Sequence, residues 1–214
     1  GSATVHFPIW HQEIEDIIVL KNNKGSEDNR VRKLDYSIQI SKLFYERFIK
    51  NDDITLFSPN HVPGLYEAFG MPEFDELYVK YEKDKSIPKQ TIGAQELFQA
   101  LLKERAETGR IYIMNLDHCN THSSFKDKVY MSNLCQEITL PTTPVQHIDD
   151  KEGEIALCIL SAVNLGLLTD MNELEELCDL SVRALDEIID YQEYPVEAAK
   201  ISAQSRRSLG IGYI

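Results

Sequence analysis

Thr108-Gly109-Arg110-Ile111-Tyr112-Ile113-Met114-Asn115 joins two unlike patterns, and its reading decides the fold. Upstream, Ala94 to Glu107 places Leu97, Leu101 and Leu102 at helical spacing, and Gly109 supplies the left-handed residue that commonly ends a helix. Downstream, Arg110 to Asn115 is a short apolar, β-branched run that reads as a buried strand. A helix handed through glycine directly to a strand is the repeating step of an α/β protein.

The same step recurs to either side. Tyr36, Ile38 and Ile40 alternate with Ser37 and Gln39, which predicts a strand, and Ser41 then caps a helix to about Lys50. Val5 to Phe7 predicts a brief strand, with Pro8 opening a helix through about Leu20 whose buried stripe is Ile14, Ile17 and Ile18. Ile54 to Phe57 predicts another strand, followed by short helices around Leu65 to Phe69 and Phe74 to Tyr81. Further on, Glu154 to Val163 reads as a strand covered on both faces. A long helix from Asn172 to Asp190 follows, with Leu174, Leu177, Val182, Leu185 and Ile189 inward. Pro195 begins a last helix, and Ser208 leads into the glycine-spaced strand Leu209 to Ile214. The architecture expected is α/β, a barrel-like or open sheet with helices outside. A complete eight-unit barrel takes about 250 residues, so 214 residues would hold only part of such a body.

Composition bounds the function. Apolar residues make up 43% and charged residues 27%, as in an ordinary globular domain. A net charge of −13 argues against a grip on nucleic acid or acidic lipid, which needs clustered Lys and Arg. Arg30, Arg32 and Lys33 form the most basic cluster, on a polar loop. No apolar run approaches the roughly 20 residues that span a bilayer, and no secretory signal opens the chain, so a cytoplasmic location is expected. Cys119, Cys135, Cys158 and Cys178 lack C-x-x-C spacing, which disfavours a disulfide framework. His118, Cys119 and His122 lie in a polar segment, Asp117 to Ser123, read as a loop; a zinc site there would need a fourth ligand, and the spacing fits no common pattern.

Chemistry concentrates in Ser132-Asn133-Leu134-Cys135-Gln136-Glu137-Ile138. If this run is extended, Asn133, Cys135 and Glu137 share one face, with the outer two about 13 Å apart. A nucleophilic thiolate needs a nearby cation or helix N-terminus, whereas the nearest ionisable neighbour of Cys135 is the carboxylate of Glu137. A protonated thiol beside a base suits hydrogen-atom transfer better than nucleophilic attack. The alternative is a small core cysteine beside an exposed strand carboxylate.

Asn133-Leu134-Cys135-Gln136-Glu137, Gly153-Glu154-Ile155-Ala156-Leu157-Cys158, Thr108 to Ile113, Asp117 to Ser123 and Asp190-Tyr191-Gln192 together resemble the catalytic large subunit of class I ribonucleotide reductase. Leu56 to Pro59, Val62 to Tyr66 and Arg207 to Gly212 extend the resemblance along essentially the whole chain. It implies a piece of a ten-stranded α/β barrel made of two five-stranded halves, with the radical cysteine on a loop inside. All of residues 1–214 would then belong to that one barrel domain, with no separate second domain.

The resemblance further implies reduction of ribonucleoside diphosphates. Cys135 would be the thiyl radical that abstracts the ribose 3′ hydrogen, Glu137 the acceptor of the 3′ hydroxyl proton, and Asn133 a hydrogen-bond partner of the sugar hydroxyls. Cys158 would be one thiol of the reducing pair, and Arg110 a neighbour of the radical path. No cofactor would be bound by this chain. The radical would come from a dimetal centre in a partner small subunit, and reducing equivalents from thioredoxin or glutaredoxin. Remaining segments of the large subunit would be required partners, since the second redox cysteine and effector site precede the resembling region and the radical-path tyrosines follow it. The chain, an excised piece or one product of a split gene, would not turn over alone. The contrasting expectation is an inert structural or metal-binding piece with packing cysteines.

Overall fold

A computed structural model describes residues 1–214. They form two compact units, Gly1–Thr139 and Leu140–Ile214, each treated by itself. In the first unit the elements run β1 (Thr4–Pro8), α1 (Ile14–Ile18), β2 (Asp35–Ile40), α2 (Lys42–Lys50), β3 (Asp53–Phe57), α3 (Leu65–Ala68), α4 (Phe74–Lys83), β4 (Lys89–Gly93), α5 (Ala94–Thr108), β5 (Ile111–Asn115) and α6 (Leu116–Thr121). The second holds β6 (Ile159–Val163), α7 (Glu173–Tyr191), α8 (Glu197–Arg206) and β7 (Leu209–Tyr213). The fold is mixed α/β with open sheets.

The first unit is built on a parallel sheet in the order β1-β2-β5, with β3 and β4 pairing separately as an antiparallel ribbon. Parallel neighbours must be joined by crossovers, here made by the segments carrying α1 and α5. The helices bury one face of the sheet: Tyr36, Ile38, Ile40 and Ile111 join Ile14, Ile17, Ile18, Phe44, Leu97 and Leu101 in one core. Trp10, Phe57, Phe69, Phe74, Tyr78 and Met114 form a second cluster. The Tyr78 hydroxyl satisfies the backbone of β3 at Thr55, accepting from Thr55 N at 2.7 Å and donating to Thr55 O at 2.6 Å. Burial raises the pKa of this phenol.

The predicted elements at β1, β2, α2, β3, α5, β5, α7, α8 and β7 form where expected, and Gly109 caps α5 with φ 67°. Several expectations fail. Pro8 ends β1 instead of opening a helix, and α1 is limited to Ile14–Ile18. β1 is an edge strand, where a missing N–H is tolerated. Asp117 to Ser123 is largely helical, not a loop: Asp117 accepts from the backbone N of Lys42, and Asn120 bonds back to Leu116 O. Leu102 and Val182 are exposed. β4 has no counterpart in the sequence reading because Lys89-Gln90-Thr91 carries no apolar alternation.

In the second unit, β6 and β7 form a two-stranded parallel ribbon against which α7 packs through Leu185 and Ile189. Only Ile159–Val163 of the expected longer strand is regular, and Ile155, Leu157 and Leu160 are exposed, so the reading of a strand covered on both faces does not hold within this unit. Arg206 pairs with Glu154 at 2.7 Å, and Arg207, left-handed at φ 45°, clamps Asp186 and Asp190.

Candidate functional site

The face of the parallel sheet opposite the helices is polar. Alternation along a strand puts Thr4 and His6 of β1 on the same side as Ser37 and Gln39 of β2, since His6 is in register with Ser37 and Pro8 with Gln39. Ser37 and Gln39 are nevertheless completely buried. Buried polar groups need partners, and here the partners belong to the loop that follows α6.

The loop is held chiefly by its backbone oxygens. Gln39 Nε2 donates to Tyr130 O at 2.6 Å, His6 Nε2 lies 3.1 Å from Ser132 O, and Thr4 Oγ1 donates to Leu134 O at 2.7 Å. A carbonyl only accepts, so Nε2 of His6 carries the proton. The buried Nδ1 on the other side of that ring has no partner, and burial lowers the His6 pKa against a smaller opposing effect of the Ser132 carbonyl. At its start the loop is tied by Asn120, whose amide exchanges bonds of 3.0 and 2.8 Å with the backbone of Val129. The Lys128 ammonium sits 4.4 Å from the Tyr130 ring centre, and burial pushes its pKa down to about 8.

After Leu134 the chain turns. Gln136 N donates to Asn133 O at 3.2 Å, closing a four-residue turn, and Gln136 is left-handed at φ 63°. The Gln136 side chain reaches back to the sheet, accepting from Ser37 Oγ at 2.7 Å and donating to Ile113 O at 2.7 Å. Asn133 Oδ1 faces into the loop, accepting from Ile138 N at 3.1 Å and Ser132 Oγ at 3.2 Å.

The segment from Ser132 to Ile138 is therefore a turn and not the expected strand, because its own Ser and Asn side chains compete for the backbone groups a strand would pair. Period-two alternation does not carry through it. Cys135 and Glu137 are exposed and Asn133 is half-buried. An exposed Cys135 is not the packing residue of the alternative reading. Its thiol forms no disulfide.

Beside the turn an open cleft of about 500 Å³ is lined by Asn115, His118, Cys119, His122, Gln136 and Thr139, among others. The imidazoles of His118 on α6 and His122 just past its end meet edge to face at 5.5 Å. Burial, reinforced by Asp117, pushes the Cys119 thiol up. No set of three His, Cys, Asp or Glu side chains is gathered as metal ligands.

Arg110 stands at the entry to β5, 65% exposed along its side chain and 4.0 Å from Asp35, whose closer partner is Lys21 at 2.5 Å. Of the basic loop cluster, Arg32 bonds Glu27 and Asn23, and Arg30 bonds backbone oxygens of Asn22, Lys24 and Asn29. Those two cations are engaged internally.

Cys158 lies in the second unit, half-buried just before β6, with its thiol 3.8 Å from Ile159 O. Gly210 of β7 faces it. A Cβ there would meet Leu160 Cδ2 at 2.5 Å and touch Cys158 Sγ at 3.4 Å, an ordinary contact, so the glycine makes room chiefly for Leu160.

Thr4, His6, Ser37, Gln39 and Gln136 are absent from the sequence reading of the site. A signal existed for two of them: Ser37 and Gln39 alternate with the most buried residues of the chain. Such polar positions read as the outer face of a strand, but here they are the seat of the loop.

A family model described as ribonucleotide reductase, barrel domain, matches residues 1–214. Curated relatives include the ribonucleoside-diphosphate reductase subunit alpha of Haemophilus influenzae, 61% identical, and the ribonucleoside-diphosphate reductase 1 subunit alpha of Escherichia coli, 58% identical, each over 100% of this chain. The subunit of enterobacteria phage T4 is 47% identical over 99% of it. The chain spans 29% of the length of each of these relatives.

Proposed function

Given that the chain belongs to the ribonucleotide reductase barrel-domain family, we propose that it supplies part of a catalytic barrel that reduces ribonucleoside diphosphates to 2′-deoxyribonucleoside diphosphates in the cytoplasm. Residues 1–214 act as one stretch of that barrel. The observation that carries this reading is the presentation of Cys135: an exposed thiol at the tip of a turn that the sheet holds through five side-chain bonds. Proximity catalysis requires this combination, a reactive atom open to substrate on a support that does not move.

In the proposed cycle Cys135, as a thiyl radical, takes the hydrogen atom from ribose C3′ and returns it at the end. Glu137, exposed two residues on, accepts the 3′ hydroxyl proton. Asn133 has its Oδ1 committed to the loop and presents Nδ2 to the sugar hydroxyls. The 2′ hydroxyl leaves as water, while Cys158 and a second thiol give up two electrons and become a disulfide. Other segments of the large subunit provide that thiol, and thioredoxin or glutaredoxin reduces the pair again. A small subunit with a dimetal centre supplies the radical, and Arg110, exposed at the base of β5, neighbours its path.

The test is Cys135→Ser in the complete large subunit assembled with its small subunit. Deoxynucleotide formation falls to background while nucleoside diphosphate binding persists. Undiminished turnover would sink the assignment.

A further inference from the structure

Three anchors hold the incoming arm of the loop, at Tyr130, Ser132 and Leu134, all before the sulfur. After it, the connection to the sheet is Gln136, which bonds Ser37 on β2 and Ile113 on β5. We propose that Gln136 is the positioning residue that fixes the direction of the Cys135 thiol. The proposal rests on the reading of Cys135 as the reacting sulfur, although the geometry behind it does not.

The Cys135 side chain is exposed, so its direction follows from the backbone on either side. That backbone passes into a left-handed residue bearing a side chain, a conformation that such residues rarely adopt and that persists only where surrounding contacts impose it. Here the two bonds of the Gln136 amide impose it from the sheet, beside the turn's own bond from Gln136 N to Asn133 O. An amide meets both demands at once, because Ser37 Oγ brings a proton and Ile113 O needs one. A carboxylate would repel the carbonyl, and a thioether of the same length would leave both strands unanswered. Gln136 also lines the 500 Å³ cleft, so loss of the clamp frees the turn to swing into open space.

The experiment uses the complete large subunit with its small subunit, carrying Gln136→Met or Ser37→Ala. Expected are a fall in kcat of roughly 10- to 100-fold for Gln136→Met, a smaller fall for Ser37→Ala, and a nearly unchanged KM. Alongside, iodoacetamide labelling of Cys135, read by mass spectrometry against Cys119 in the same molecule, should change severalfold. Should Gln136→Met fail to fold, Ser37→Ala decides, since it removes one bond at little cost in volume. Wild-type kcat with a wild-type labelling ratio would overturn the proposal. So would lost activity with an unchanged ratio, which makes Gln136 a general structural residue. Full turnover by Cys135→Ser would refute the catalytic reading, while the labelling ratio would still decide whether Gln136 aims the thiol.

Discussion

Replacing Gln39 with methionine separates the stability of the first unit from the attachment of its loop. Gln39 is completely buried; its Nε2 donates to Tyr130 O at 2.6 Å, while its Oε1 is buried without a partner. Two effects oppose. Losing the bond costs about 0.5–1.5 kcal/mol, and removing a buried unsatisfied oxygen returns about 1–3 kcal/mol. Methionine keeps the length and lies beside Met114, whose sulfur is already 3.8 Å from the Gln39 amide. Packing therefore changes little.

The oxygen of Tyr130, left without its donor, adds a cost comparable to that gain, so Gln39→Met should change stability by no more than about 1 kcal/mol. The loop, however, loses its first anchor on β2. Urea denaturation followed by fluorescence of the single tryptophan, Trp10, 2% exposed in the second core cluster, measures the first quantity. Hydrogen exchange over residues 129–136 measures the second, and should accelerate. A destabilisation beyond about 2 kcal/mol with unaltered exchange would refute the reasoning, because the amide would then be serving the core and not the loop.

Further outcomes follow from other contacts. Tyr78→Phe strands both backbone groups of Thr55 and should cost about 2–4 kcal/mol in urea, whereas Tyr81→Phe, which loses one exposed bond to Pro63 O, should cost under about 1 kcal/mol; equal losses would contradict this. Gly70→Ala should destabilise by about 1–3 kcal/mol in thermal unfolding, since φ is +83° and the new Cβ would meet Leu116 Cγ at 2.7 Å. His6 has its folded pKa lowered from 6.5 by burial, so the unfolded chain binds the proton more readily. Its contribution is complete above pH 6.5 and is lost as pH falls from there towards the folded value. His6→Gln should flatten the acid side of the stability curve, and an unchanged slope would count against the assignment.

The helix-to-strand steps were legible because they rest on local chemistry, leucines at helical spacing and Gly109 where φ must be positive, although Ser41 makes no side-chain cap to α2 and Asp117 takes the Lys42 N–H instead. The catalytic candidates were legible as residue types and not as geometry. The turn at Leu134 and Cys135 contains neither glycine nor proline, and its left-handed Gln136 is sustained by Ser37, 99 positions away in sequence. No local pattern announces such a contact. α6 escaped for a related reason, since its Asp-His-Cys-Asn composition has weak helix propensity and is rescued by Asp117 bonding to Lys42 and Asn120 to Leu116. In the second unit, the apolar run from Ile155 to Leu160 promised burial, yet Ile155, Leu157 and Leu160 stay exposed there.

The sheet grips the oxygens of positions 130, 132 and 134 and ignores what hangs from their α-carbons. Every amino acid carries that oxygen, so the mount is indifferent to its cargo. A saturation library at Leu134, whose side chain is exposed, should pass most substitutions other than proline and glycine, while the same library at Thr4 or His6 should tolerate few. The scaffold and the chemistry it holds up can in this way be redesigned separately.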